Sequence, residues 1–141
     1  MLYSGLLDLH NLLRWAVVLL AVVAIVSALV AQRWTPAQNS LSHWFSGVFG
    51  LQAAVGLVLW FVSDLVQSSF RDIGAAMSDP ARRFFLLEHP LLMIVAVALV
   101  GIGGGRGRKT DNPRVALVFY LLAAAAMAYA IPWNRPLVPG M

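Results

Sequence analysis

The chain has 141 residues, 60% hydrophobic and only 11% charged, against roughly 25% charged residues in a soluble domain. That balance excludes a large soluble enzyme, and the absence of cysteine excludes disulfides, thiolate nucleophiles, iron–sulfur clusters and cysteine zinc sites. A formal charge of +4 lies mostly in one short basic stretch, with no basic-aromatic platform for nucleic-acid bases.

Four apolar runs stand out, Leu12–Ala31, Phe45–Val66, Phe84–Gly101 and Val115–Ile131, and runs of this kind cross a hydrocarbon core of about 30 Å at about 1.5 Å per residue. They predict an all-α, four-transmembrane-helix bundle forming one integral membrane domain. The first helix is expected over about 4–31, from Ser4 to just before Arg33-Trp34-Thr35-Pro36, where a charge, an aromatic and a proline coincide. Val26-Ser27-Ala28 raises the alternative of a cleaved signal peptide. Asp8 and the lack of a basic residue before the run argue against it. The second helix is expected over about 42–66, capped by Ser40 or Ser42. Between helices two and three, Phe70, Ile73 and Met77 recur at helical spacing among Ser, Arg and Asp, which predicts a short amphipathic interfacial helix. Ser78-Asp79-Pro80 opens the third helix, expected over about 80–102, with Gly103-Gly104-Gly105 as its flexible end. The fourth is expected over about 114–131, between Asn112-Pro113 and Pro132.

An even number of crossings puts both termini on one side with the loop after helix two. The other side carries Arg33, Arg106, Arg108, Lys109 and Arg114 against Asp111, a net of +4. Lys and Arg counts alone tie at five each, but the cluster within one short loop favours that side as cytoplasmic, with both termini outside. The same cluster is suited to anionic lipid head groups. Trp34 and Trp44 would mark the inner surface, and Trp60, Phe61, Phe84, Phe85 and Trp133 the outer one.

Ionisable groups inside membrane helices are the informative ones, because an unpaired charge there costs about 2.5–3.5 kcal/mol even on insertion scales. Here they are His10, Arg14, Glu88 and His89, with Gln52 as a buried amide. Counted back from Ala31 and Gly101, Arg14 and Glu88 lie at similar heights, about 25 and 20 Å. An Arg14–Glu88 ion pair is therefore expected, with snorkelling of Arg14 to the interface as the alternative. Pro90 withholds an N–H from the Leu86 carbonyl, so a kink beside His89 is expected, opening room for a haem ligand, for a quinone hydrogen bond, or for closer packing alone. Haem gripped between His10 and His89 meets a depth difference of about 13 Å on the same count. No metal-site spacing joins His10, His43 and His89, and no catalytic triad is evident. Gly47, Gly50, Ala54 and Gly56 on helix two suit close helix packing, within the bundle or in a larger complex.

The blocks Gly5-Leu6-Leu7-Asp8-Leu9-His10-Asn11-Leu12-Leu13-Arg14-Trp15, Arg83-Phe84-Phe85-Leu86-Leu87-Glu88-His89-Pro90 and Ile131-Pro132-Trp133-Asn134-Arg135-Pro136-Leu137 resemble small four-helix bacterial inner-membrane proteins labelled uncharacterised or cytochrome-b-like. The resemblance implies an inner-membrane location, a role in electron transport and a possible haem b. Only His10, Arg14, Glu88 and His89 match; Asp8 and Gly50 stand where such relatives carry further histidines. The leading expectation is a non-catalytic membrane subunit packing within or beside a larger respiratory or photosynthetic complex, its partners being lipids and other membrane subunits. A small haem b cytochrome using His89 and His10 is one alternative. A quinone-binding or solute-transport protein using Arg14, Glu88, His89 and Gln52 is the other.

Overall fold

The computed structural model describes residues 1–135. Its element order is α1 (Leu2–Val30), α2 (Pro36–Val62), α3 (Asp64–Ser69), α4 (Ile73–Ser78), α5 (Pro80–Arg83), a π-helical turn (Phe84–Glu88), α6 (His89–Thr110) and α7 (Pro113–Ala130). The stretch Pro80–Thr110 forms one span with the π turn inside it, so four helical spans are long and apolar enough to cross a membrane. This is the predicted four-helix architecture. Helix α1 packs on α2 and α7, and α6 packs on α2 and α7, so α1 and α6 face each other across the diagonal of the bundle.

Two boundaries depart from expectation. Helix α2 starts at Pro36 rather than at Ser40 or Ser42, because Thr35 and Gln38 form a capping box: Gln38 N–H donates to Thr35 Oγ1 (3.3 Å), and Thr35 N–H donates to Gln38 Oε1 (2.9 Å). Ser42 is instead buried inside the helix. The chain leaves α2 at Ser63, and the expected interfacial segment becomes the two short helices α3 and α4. Val66, Ala76 and Leu86 bury together there, with Trp60 and Met77 against them, while Phe70 and Ile73 stay exposed.

The larger correction concerns the glycines. Gly103-Gly104-Gly105 does not end the third span; α6 continues to Thr110. A Cβ on Gly103 would lie 2.5 Å from Phe119 Cβ, one on Gly104 would strike Ser42 Oγ, and one on Gly107 would lie 2.5 Å from the Trp34 ring. Hydrogen alone fits at these three positions, so α6 approaches α7, α2 and the α1–α2 loop closely. The packing offsets the roughly 1 kcal/mol by which each glycine disfavours a helix.

The main core runs through Val17, Ala21 and Ala24 of α1, Phe45 and Phe49 of α2, Ala96 and Val100 of α6, and Ala116, Tyr120, Ala123 and Met127 of α7. Phe45 stacks on Phe49 and meets Tyr120 edge-on, with centroids 6.1 and 5.4 Å apart. At the basic end, Asp111 adopts a left-handed conformation (φ 50°) as the C-cap of α6. Its carboxylate accepts from Arg33 Nε (2.9 Å) and from the Trp34 N–H (3.0 Å), pinning the α1–α2 loop to the α6–α7 turn. Those donors hold the exposed Asp111 carboxyl below its ordinary pKa.

Candidate functional site

At the opposite end of the bundle, His10 and His89 meet with ring centroids 6.2 Å apart and planes inclined at 68°. The expected depth difference vanishes because α6 is longer than its apolar centre suggests. Measured from the true helix ends, His10 lies 20 residues before Val30 and His89 lies 21 before Thr110, so both sit about 30 Å up their helices.

Each ring is held by a particular backbone feature. His89 Nδ1–H donates to the Ala130 carbonyl (2.7 Å), one of the last carbonyls of α7 and so left without an intrahelical N–H. Nε2 of the neutral His89 ring is then an acceptor. His10 lies against α2, where a Cβ on Gly56 would come within 2.9 Å of His10 Cε1. Gln52, itself buried, brings its side-chain Nε2 to 3.4 Å from His10 Nε2 and donates there. In that arrangement His10 Nδ1 and Gln52 Oε1 are buried without a partner among the described residues. One is a donor and the other an acceptor.

The Leu86 carbonyl, which Pro90 cannot serve, accepts from the Trp60 indole N–H (3.0 Å) across from α2. The chain passes Pro90 through the π turn, whose last hydrogen bond runs from the His89 N–H to Phe84 O. Trp60 therefore turns inward rather than marking the outer surface, and Phe84 and Phe85 pack around His89 with centroids 5.8 and 6.2 Å away.

These groups border a cavity of about 320 Å³. Helix α1 contributes Asp8, His10, Asn11 and Arg14, α2 contributes Phe49, Gln52, Gly56 and Trp60, and the third span contributes Phe85, His89, Pro90 and Met93. Ile131, Pro132 and Arg135 complete the wall, with the Arg135 guanidinium 4.5 Å above the Phe85 ring.

Four of the five candidate residues, His10, Arg14, Gln52 and His89, thus share one cavity. Glu88 does not. Its carboxylate accepts from Arg83 Nε (2.8 Å) and lies 3.5 Å from the Tyr129 hydroxyl. The expected Arg14–Glu88 pair is absent, because the longer α6 raises Glu88 about 9 Å above Arg14. Arg14 is buried, with its guanidinium 5.7 Å from the Trp15 ring centroid, so it does not snorkel outward. His43 is exposed at the other end and bonds Asn39 O (2.7 Å). Gly56, Trp60 and the Ala130 carbonyl were missed as site elements. The helix end that Pro132 marks was the available signal for Ala130, whereas nothing local to Gly56 or Trp60 marks them.

Haem b, which the resemblance implies, finds a poor donor set. His10 turns its Nδ1–Cε1–Nε2 edge onto Gly56 and Gln52 of α2, so sharing an iron with His89 would require that ring to rotate away from both. Among the described residues no group of three or more His, Asp or Glu side chains is arranged to hold a metal ion. No family model, curated protein or solved structure matches the chain.

Proposed function

We propose that the protein is a small inner-membrane subunit of electron transport that holds a quinone-class molecule between His10 and His89, without a reaction of its own. The observation that carries this reading is the His89 ring, whose Nδ1–H is fixed on the Ala130 carbonyl so that Nε2 is left as an acceptor at the wall of a largely apolar cavity that His10 and Gln52 also line. A hydroquinone ring, whose hydroxyls donate as well as accept, can serve that acceptor, and Phe49, Trp60, Phe85 and Met93 give it apolar walls. Such a molecule partitions into the bilayer, which matches a site inside a membrane span.

The test is titration of a short-chain quinol, kept reduced, into the protein in lipid nanodiscs, followed by tryptophan fluorescence, since Trp60 borders the cavity. Saturable quenching beyond that of a tryptophan control in protein-free discs is expected, and His89→Leu should remove it while leaving the helical circular dichroism intact. Quenching that only tracks quinol partitioning would sink the reading. A stoichiometric b-type absorption spectrum from the purified protein would replace it with the haem alternative. The basic loop supports a topology with both termini outside the cytoplasm, which reporter fusions at the two ends would check.

A further inference from the structure

We propose that the basic end of the bundle carries a binding site for one anionic phospholipid, its head group at Asn39, His43 and Arg108 and an acyl chain along Gly47, Gly50 and Ala54. The charge comes first. Asp111 is engaged by Arg33 and the Trp34 N–H, which leaves Arg106, Arg108, Lys109 and Arg114 with no acidic partner among the described residues. Four cations at one membrane surface attract anionic head groups.

The shape comes second. A shallow, wide-open groove lined by α2 alone covers Pro36, Asn39, Ser40, His43, Trp44 and Gly47. Arg108 Nη1 reaches the Asn39 amide oxygen (3.4 Å), which brings a cation from α6 to the edge of this groove. His43 donates its Nδ1–H to Asn39 O (2.7 Å), leaving Nε2 as an acceptor for a hydroxyl of the glycerol head group, while Arg108 faces the phosphate. Trp44 is exposed at the same level, as amphipathic aromatics at a membrane interface are.

The continuation toward the bilayer centre distinguishes a whole lipid from a free anion. Positions 36, 39, 43, 47, 50 and 54 follow helical spacing down one face of α2, and its lower part is almost bare. A Cβ at Gly47 or Gly50 would meet nothing within 4 Å, and Ala54 is exposed. Close approach of another helix of the bundle therefore does not account for glycine at 47 and 50. These small residues leave a shallow track beneath a polar, cationic head site, and a diacyl phosphate ester has that same order of parts.

The experiment compares phosphatidylglycerol with phosphatidylcholine on the purified full chain by native mass spectrometry, with glycerophosphate as head-group competitor. Preferential retention of phosphatidylglycerol is expected. Arg108→Gln should lower the preference about five-fold, the equivalent of ~1 kcal/mol for one basic residue at the surface. Gly47→Leu should lower lipid retention without changing helical content, and glycerophosphate should not displace the lipid. Equal retention of the two lipids, displacement by glycerophosphate alone, or a Gly47→Leu protein that binds as well as wild type would overturn the proposal. So would efficient crosslinking of position 47 to another membrane protein, which would assign this face to a partner helix. Should Gly47→Leu fail to fold, Arg108→Gln decides the question alone.

Discussion

Trp60 does at residue scale what Pro90 makes necessary. The Leu86 carbonyl is buried without its helical N–H, and the indole N–H from α2 satisfies it at 3.0 Å. Trp60→Phe should cost about 1 kcal/mol or more through the orphaned carbonyl, read as a lower unfolding midpoint in detergent. Pro90→Ala restores an N–H four residues beyond Leu86, so the double variant should be less destabilised than the two single effects added; strict additivity would show that the indole bond matters little. Gln52→Leu removes the N–H that His10 Nε2 accepts together with the unpartnered Oε1. One lost bond is thus set against one lost orphan, so the unfolding midpoint should change little, while the freed His10 ring should weaken quinol binding.

Among elements, α6 shows how packing overrides propensity. Gly104 faces Ser42 and Tyr120, whereas a Cβ on Gly105 would meet nothing within 4 Å. Gly104→Ala should therefore destabilise by ~1–3 kcal/mol through overpacking, while Gly105→Ala should be neutral or stabilise by up to about 1 kcal/mol through helix propensity. Thermal unfolding of the two variants side by side separates these outcomes, and equal effects would refute the close approach of α6. The loops at this end are joined by Asp111. Its folded pKa lies below the unfolded value, so the clamp contributes fully above the unfolded pKa of about 3.9. That contribution is lost as pH falls through the folded pKa. Asp111→Asn keeps a residue that tolerates the left-handed backbone and should flatten this acid dependence, an effect that added salt also weakens because the carboxylate is exposed.

For the whole molecule, four spans place the α1–α2 loop and the α6–α7 turn on one surface and the N-terminus and α3–α4 on the other. The chain has no cysteine, so single cysteines report without background. Ser4→Cys and Gln67→Cys should label from one side of sealed vesicles and Lys109→Cys from the other; labelling of Ser4 and Lys109 from the same side would break the four-span arrangement.

The sequence alone determined the number of spans, the helix-ending prolines, the basic loop and which polar residues lie within the apolar helices. Each of these rests on local chemistry: hydrophobic length, a missing N–H, or the cost of a buried charge. The Leu86 carbonyl was legible for the same reason, since Pro90 names its own orphan. Which residues meet was not legible. The Gly103–Gly105 run reads locally as a helix end, and only the Phe119, Ser42 and Trp34 side chains packed against α6 reveal it as helix interior. That one difference shifts the third span by about two turns in depth, takes Glu88 from Arg14 to Arg83, and sets His89 beside His10. Tertiary packing decides the site because a glycine's preference against helix is about 1 kcal/mol, small beside the contacts that its missing side chain permits.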